Sequence, residues 1–178
     1  IFHNTDLAKV EIPGKQMNGS VVAITYTFKV KNTGAVAGYA KKIVDYIPSD
    51  LSFSSTLNPE WYQDTDGNLY NTSLENRIIN PGEEVELSLV LTKTMTDENT
   101  GLVNNTAEIY EASNDQGIQD TDSTPGNKGA EEDDFGTADV IITVKTGGVV
   151  VYTGIVLGVL AIFAIGAYII KKKVLTRI

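Results

Sequence analysis

The chain has 178 residues with no cysteine, one histidine, and 23 acidic against 14 basic side chains, for a formal net charge of −9. Disulfide staples are excluded, any zinc site or His-based triad has only His3 to draw on, and polyanions such as nucleic acid or anionic lipid are repelled. Some 145 residues precede a long apolar run, enough for one domain with a real core.

Taken in chain order, most segments alternate with period two, the signature of half-buried strands. Leu7–Ile12 is the first candidate. In Val21–Lys31, residues Val22, Ile24, Tyr26, Phe28 and Val30 share one face, opposed by Thr25, Thr27, Lys29 and Lys31. Asn32-Thr-Gly34 is a turn, Gly38–Ile47 a further strand, and Ile47-Pro48-Ser-Asp50 another turn. Trp61-Tyr62 and Leu69-Tyr70 flank Asp64–Asn68 and predict a hairpin, and Asn80-Pro81-Gly82 turns into Glu84–Met95. There Val85, Leu87, Leu89 and Leu91 oppose Glu84, Glu86, Ser88 and Thr92. In Val103–Glu111 the apolar face is Val103, Ala107 and Ile109, against Asn104, Thr106, Glu108 and Tyr110.

From Ser113 the pattern lapses into a Gly/Asp/Ser/Pro-rich loop, taken as 113–135, before Ala138–Lys145 resumes the alternation. A loop of that length is functional or mobile. No segment of residues 1–146 has helical periodicity. The expected fold class is all-β: an antiparallel immunoglobulin-like β-sandwich, followed by a single transmembrane α-helix.

That helix is predicted over Val149–Ile170, an uncharged run followed at once by Lys171, Lys172 and Lys173. As a helix it would be about 33 Å long, enough for a hydrocarbon core of about 30 Å. All 23 acidic residues lie before the run, against ten Lys and Arg there, a net of −13. Lys171, Lys172, Lys173 and Arg177 make the 171–178 tail basic, which favours the cytoplasmic side. The expected localisation is a single-pass cell-membrane protein with its N-terminal part outside. Gly147 and Gly148 form a juxtamembrane pair after the 1–146 domain, and Gly154 with Gly158 is a small-residue spacing that could pack two anchors together. A cysteine-free outside domain of this size fits a bacterial surface. No signal peptide is visible at Ile1, so the expectation is the C-terminal piece of a longer chain.

The segments TYTFKVKNTGAVAGYAKKIVDYIPSDLSF, INPGEEVELSLVLTKTM and GLVNNTAEIYE resemble the conserved-repeat domain of bacterial surface proteins, of the type called domain of unknown function 11. The resemblance spans about residues 7–146. It implies an immunoglobulin-like sandwich used as a stalk segment in adhesins and wall-associated proteins. The C-terminus resembles a cell-wall sorting signal, with Thr146 and Gly147 matching the Thr-Gly of its motif. The Leu and Pro that a sortase recognises are replaced by Thr143 and Val144, so sortase is not an expected partner and the anchor is expected to stay in the membrane.

Alternation places Asp45 beside Ile43 and Ile47, and Asn105 beside Val103, Ala107 and Ile109, polar groups on core faces that must be satisfied. Pilin and adhesin domains of related fold join a Lys on an early strand to an Asn on a late one, helped by an acid. The order Lys9, Asp45, Asn105 resembles that isopeptide arrangement. The competing reading gives Asn105 a backbone bond and Asp45 a turn cap. On the 1,3-alternation of the first strand, Lys9 shares its face with Glu11 and opposes Ala8, Val10 and Ile12.

Asp115, Asp120, Asp122, Asp133 and Asp134 lie in one Gly-rich loop and are candidate calcium ligands, the alternative being a solvated acidic loop. No other cofactor is expected. No nucleophile–base pair can be assembled, so the expected function is non-enzymatic: a membrane-proximal spacer that presents upstream domains. The alternative is a ligand-binding adhesion module, its extracellular protein or glycan ligand unknown. Exposed aromatics clustered near Trp61, Tyr62 and Tyr70 would favour that alternative.

Overall fold

The computed structural model of the chain describes residues 8–14, 17–118 and 123–145, together with the backbone path of 155–163. Among the described residues there are ten strands and no α-helix: β1 (Ala8–Pro13), β2 (Val21–Lys31), β3 (Tyr39–Asp45), β4 (Ser52–Phe53), β5 (Trp61–Gln63), β6 (Leu69–Asn71), β7 (Glu84–Thr94), β8 (Gly101–Ser113), β9 (Phe135–Lys145) and β10 (Ile155–Phe163). They form a six-stranded sheet in the order β1-β9-β8-β3-β6-β5 and a four-stranded sheet in the order β10-β2-β7-β4. The all-β expectation holds.

The long antiparallel ladders are those the alternation foretells. β2 pairs with β7 from Val21↔Thr94 to Lys31↔Glu84, which aligns Ile24 with Leu91, Tyr26 with Leu89 and Phe28 with Leu87. Those apolar pairs are buried and face Ile43, Ile109, Val140 and Ile142 of the other sheet in one core. Burying each such Leu, Ile or Phe contributes about 1.5–3 kcal/mol. Trp61 sits in this core, its ring 5.0 Å from that of Phe28, and its indole N–H donates to the Ser88 carbonyl at 2.7 Å, tying β5 to β7.

Buried asparagines hold the loops. Asn32 donates to the carbonyls of Val36 and Ile79, both at 2.8 Å, and its Oδ1 accepts from the Gly34 N–H. Asn58 bonds both backbone groups of Val90, donating at 2.9 Å and accepting at 2.6 Å, and so extends the β4 edge of β7. The predicted hairpin forms between β5 and β6, with Asp64 N–H donating to the Asn68 carbonyl and Gly67 at a φ of 85°.

One expectation is corrected. β1 runs parallel to β9 with Ala8, Val10 and Ile12 turned inward, so Lys9 and Glu11 face solvent and pair with each other at 2.7 Å. Three apolar side chains outweigh one buried ammonium, whose desolvation nothing would offset. Of the run expected as a helix over 149–170, the structure describes the backbone of 155–163, which lies as a strand parallel to β2, from Ile155↔Ala23 to Phe163↔Lys31. The run is rich in β-branched residues, and the outer edge of β2 offers a row of backbone donors and acceptors to pair with. Among the described residues no helix is long and apolar enough to cross a membrane.

Candidate functional site

Two polar constellations stand out, one inside the core and one on the outer face of the larger sheet. The inner one joins β3 to β8. The ladder sets Asp45 opposite Ala107, which brings Asn105, two residues along the same face, beside the carboxylate. Asn105 Nδ2 donates to Asp45 Oδ2 at 2.6 Å, with both residues fully buried. Burial pushes the Asp45 carboxyl up to about 8, against the opposing pull of the Asn105 hydrogen bond. Among the described residues, Asp45 Oδ1, Asn105 Oδ1 and the Tyr26 hydroxyl have no hydrogen-bond partner. The Tyr26 phenol is held well above its usual range by burial first and by the Asp45 charge next. A proton on Asp45 gives this acceptor-rich cluster a donor, so the neutral acid is the form the core favours.

Sequence reasoning thus placed Asp45 and Asn105 correctly on the core face, and the structure brings them together. It does not bring Lys9 to them. A cross-link by way of Lys9 is excluded by its outward direction, and Asp45 does not cap the following turn. Among the described residues, the lysine that faces inward is Lys93, which continues the Leu87, Leu89, Leu91 face of β7 and is 3% exposed. Its ammonium bonds to Asp50 on the loop between β3 and β4. The same period-two count that found the leucines points to Lys93.

On the outer face, one transverse row of the sheet runs Tyr62, Tyr70, Val44, Glu108, Phe135 through the β5, β6, β3, β8 and β9 registers. Tyr70, Val44, Glu108 and Phe135 are buried although they point away from the main core. The long loop is what covers Glu108. Its Lys128 N–H donates to Glu108 Oε2 at 3.0 Å, Tyr46 Oη donates to Glu108 Oε1 at 2.9 Å, and the Lys128 ammonium lies 4.1 Å over the Tyr46 ring. Lys128 adopts a φ of 59° to aim that N–H, and a Cβ on Gly126 would stand 2.7 Å from the Tyr110 ring. Glu132 ties the loop to itself by accepting from Thr124 N–H and Asn127 Nδ2.

Tyrosines continue the face. Tyr62 stacks on Tyr70 at 5.8 Å, Tyr110 meets Tyr70 edge-on at 5.7 Å, and the Lys42 ammonium lies 4.4 Å over Tyr70 and 5.1 Å over Tyr110. Tyr70 Oη donates to Asp66 at 2.5 Å, and burial first, then that carboxylate, raises its phenol to about 12. Of the aromatics singled out from sequence, Trp61 belongs to the core, Tyr70 is covered, and Tyr62 is 43% exposed.

Of the loop aspartates, Asp115, Asp133 and Asp134 fall among the described residues. Asp115 accepts from Tyr39 Oη at 3.3 Å, and Asp134 is buried with its carbonyl accepting the Ile109 N–H. Among the described residues no group of three or more acidic, His or Cys side chains is arranged to hold a metal ion. Asp120 and Asp122 lie outside the described residues, as do Thr146, Gly147, Lys171, Lys172, Lys173 and Arg177.

No protein-family model matches this chain, and no curated protein or solved structure shows a significant match to it.

Proposed function

We propose that this chain is the membrane-proximal part of a non-enzymatic bacterial surface protein. In this reading an immunoglobulin-like sandwich of conserved-repeat type stands outside the cell, and a single helix over 149–170 anchors it and carries load from upstream domains. The observation that carries the reading is the uncharged run from Val149 to Ile170 ending on three consecutive lysines, behind a domain holding every acidic residue of the chain. In hydrocarbon, backbone groups must be satisfied within the segment, so lipid favours a helix where the β2 edge favours a strand. The two-sheet core and the bonded loops suit a mechanical spacer.

Because the chain lacks cysteine, single thiols report topology without background. Ser55→Cys, at an exposed turn, should react with a membrane-impermeant maleimide on intact cells, and Thr176→Cys only after permeabilisation. The reverse pattern, or release of the chain from membranes by carbonate, would refute the anchor.

A second reading, a ligand-binding adhesion module, is favoured by one observation: the ordered tyrosine face around the exposed Tyr62.

A further inference from the structure

We infer that β1 and β9 form the mechanical clamp of this domain, a pair of parallel strands that takes an axial pull in shear. The clamp rests on the load-bearing reading proposed above and names the contact that limits the load.

Load that reaches the domain along the chain from the N-terminal side enters β1 at Ala8, and load passed on to 149–170 leaves β9 at Lys145. The two strands are parallel, from Ala8↔Val140 to Pro13↔Lys145, so entry and exit lie at opposite ends of one ladder. At about 3.3 Å per residue the offset along the strand axis is about 17 Å. A pull on both ends therefore slides β1 against β9 and loads all six pairs together. Had β1 run antiparallel, Ala8 would lie beside Lys145 and the same pull would open the pairs one at a time. Forced unfolding is governed by the height of the barrier, which is greater when the evenly spaced bonds of a ladder must yield at once.

The pull meets this pair before any other. Among the described residues β1 is the edge of its sheet with β9 as its one neighbour, while β9 is also held by β8, from Gly101↔Ile142 to Glu108↔Phe135. Sliding carries a cost beyond the ladder, because Ala8, Val10 and Ile12 are buried in the core. A slip of one residue would turn Lys9 and Glu11 inward in their place. Thr143 Oγ1 also donates to the Val10 carbonyl at 3.3 Å, a side-chain tie midway along the pair.

The chain has no cysteine, so engineered thiols can carry the handles of an optical-tweezers experiment on the full chain in a mild nonionic detergent. Lys9→Cys with Lys145→Cys, both exposed, pulls the pair in shear, and Gly14→Cys with Lys145→Cys pulls at adjacent ends and peels β1 from β9. A Cβ on Gly14 meets Val144 Cγ1 at 3.4 Å, an ordinary contact. At equal loading rate the first pull should need about twice the force of the second. Within the first pull, Val10→Ala should lower the rupture force, whereas Leu74→Ala, buried in the core but off both strands, should leave it unchanged. Equal or lower force in the first pull would overturn the clamp, as would a loss from Leu74→Ala as large as that from Val10→Ala. Neither pull involves a bilayer, so the thiol-accessibility test of the anchor is decided separately.

Discussion

Replacing Asp45 by asparagine should make the domain more stable at neutral pH and flatten the fall in its stability as pH rises towards about 8. In the native chain the carboxyl titrates at about 8 when folded and near 3.8 in the unfolded state. Below 3.8 both states are protonated and Asp45 imposes no ionisation cost. Between 4 and 8 the unfolded chain releases the proton while the folded one keeps it, so stability falls by about 1.4 kcal/mol per pH unit. The loss levels off above 8, once the folded state ionises too. From pH 5.5 to 7.5 the contribution is therefore about 3 kcal/mol. The substituted amide would keep an acceptor for Asn105 Nδ2 and offer its own N–H to Asn105 Oδ1, which has no partner among the described residues. Trp61 is the only tryptophan and lies in the core, so its fluorescence reports urea unfolding directly. Unfolding free energies measured from pH 5.5 to 9 should diverge between the two chains by roughly that amount. Parallel curves would refute the buried neutral acid.

Other substitutions probe the remaining constellations. Tyr26→Phe removes a buried hydroxyl that has no partner among the described residues, and should leave stability unchanged or raise it by up to about 1 kcal/mol in the same urea titration. Asp50→Ala strips the buried Lys93 ammonium of its carboxylate and should cost about 1–3 kcal/mol, whereas Lys93→Met should be neutral or stabilising. Glu108→Ala deletes both acceptors that hold Tyr46 and the Lys128 backbone, and should speed tryptic cleavage after Lys128 severalfold, with Trp61 fluorescence unchanged. Gly126→Ala should act on the same loop, because the added methyl meets the Tyr110 ring and the residue sits at a φ of 76°.

How far the sequence reached depends on whether a feature is local. Period two is a property of a few consecutive residues, so the inward faces of β2, β7, β8, β9 and the end of β3 could be read directly, and with them the burial of Asp45 and Asn105. Lys93 lay within the same pattern, two residues beyond Leu91, and was there to be read. The inward turn of Ala8, Val10 and Ile12 was also legible, and with it the exclusion of Lys9.

The composition of Val149–Ile170 likewise determined an apolar segment too long to be an ordinary loop. Whether such a segment pairs with an edge strand or forms a helix depends on its surroundings, since sheet edge and hydrocarbon each satisfy the backbone differently. Tertiary structure alone decided the rest. Asn105 meets Asp45 across 60 residues of chain because β8 pairs with β3 in one particular register. Glu108 reads as a solvent-facing strand residue, and only the loop that returns over the sheet buries it. Trp61 and Tyr62 are neighbours in sequence yet go to opposite faces, one to the core and one to solvent. Alternation fixes that they differ; which face is covered is settled by what packs against it.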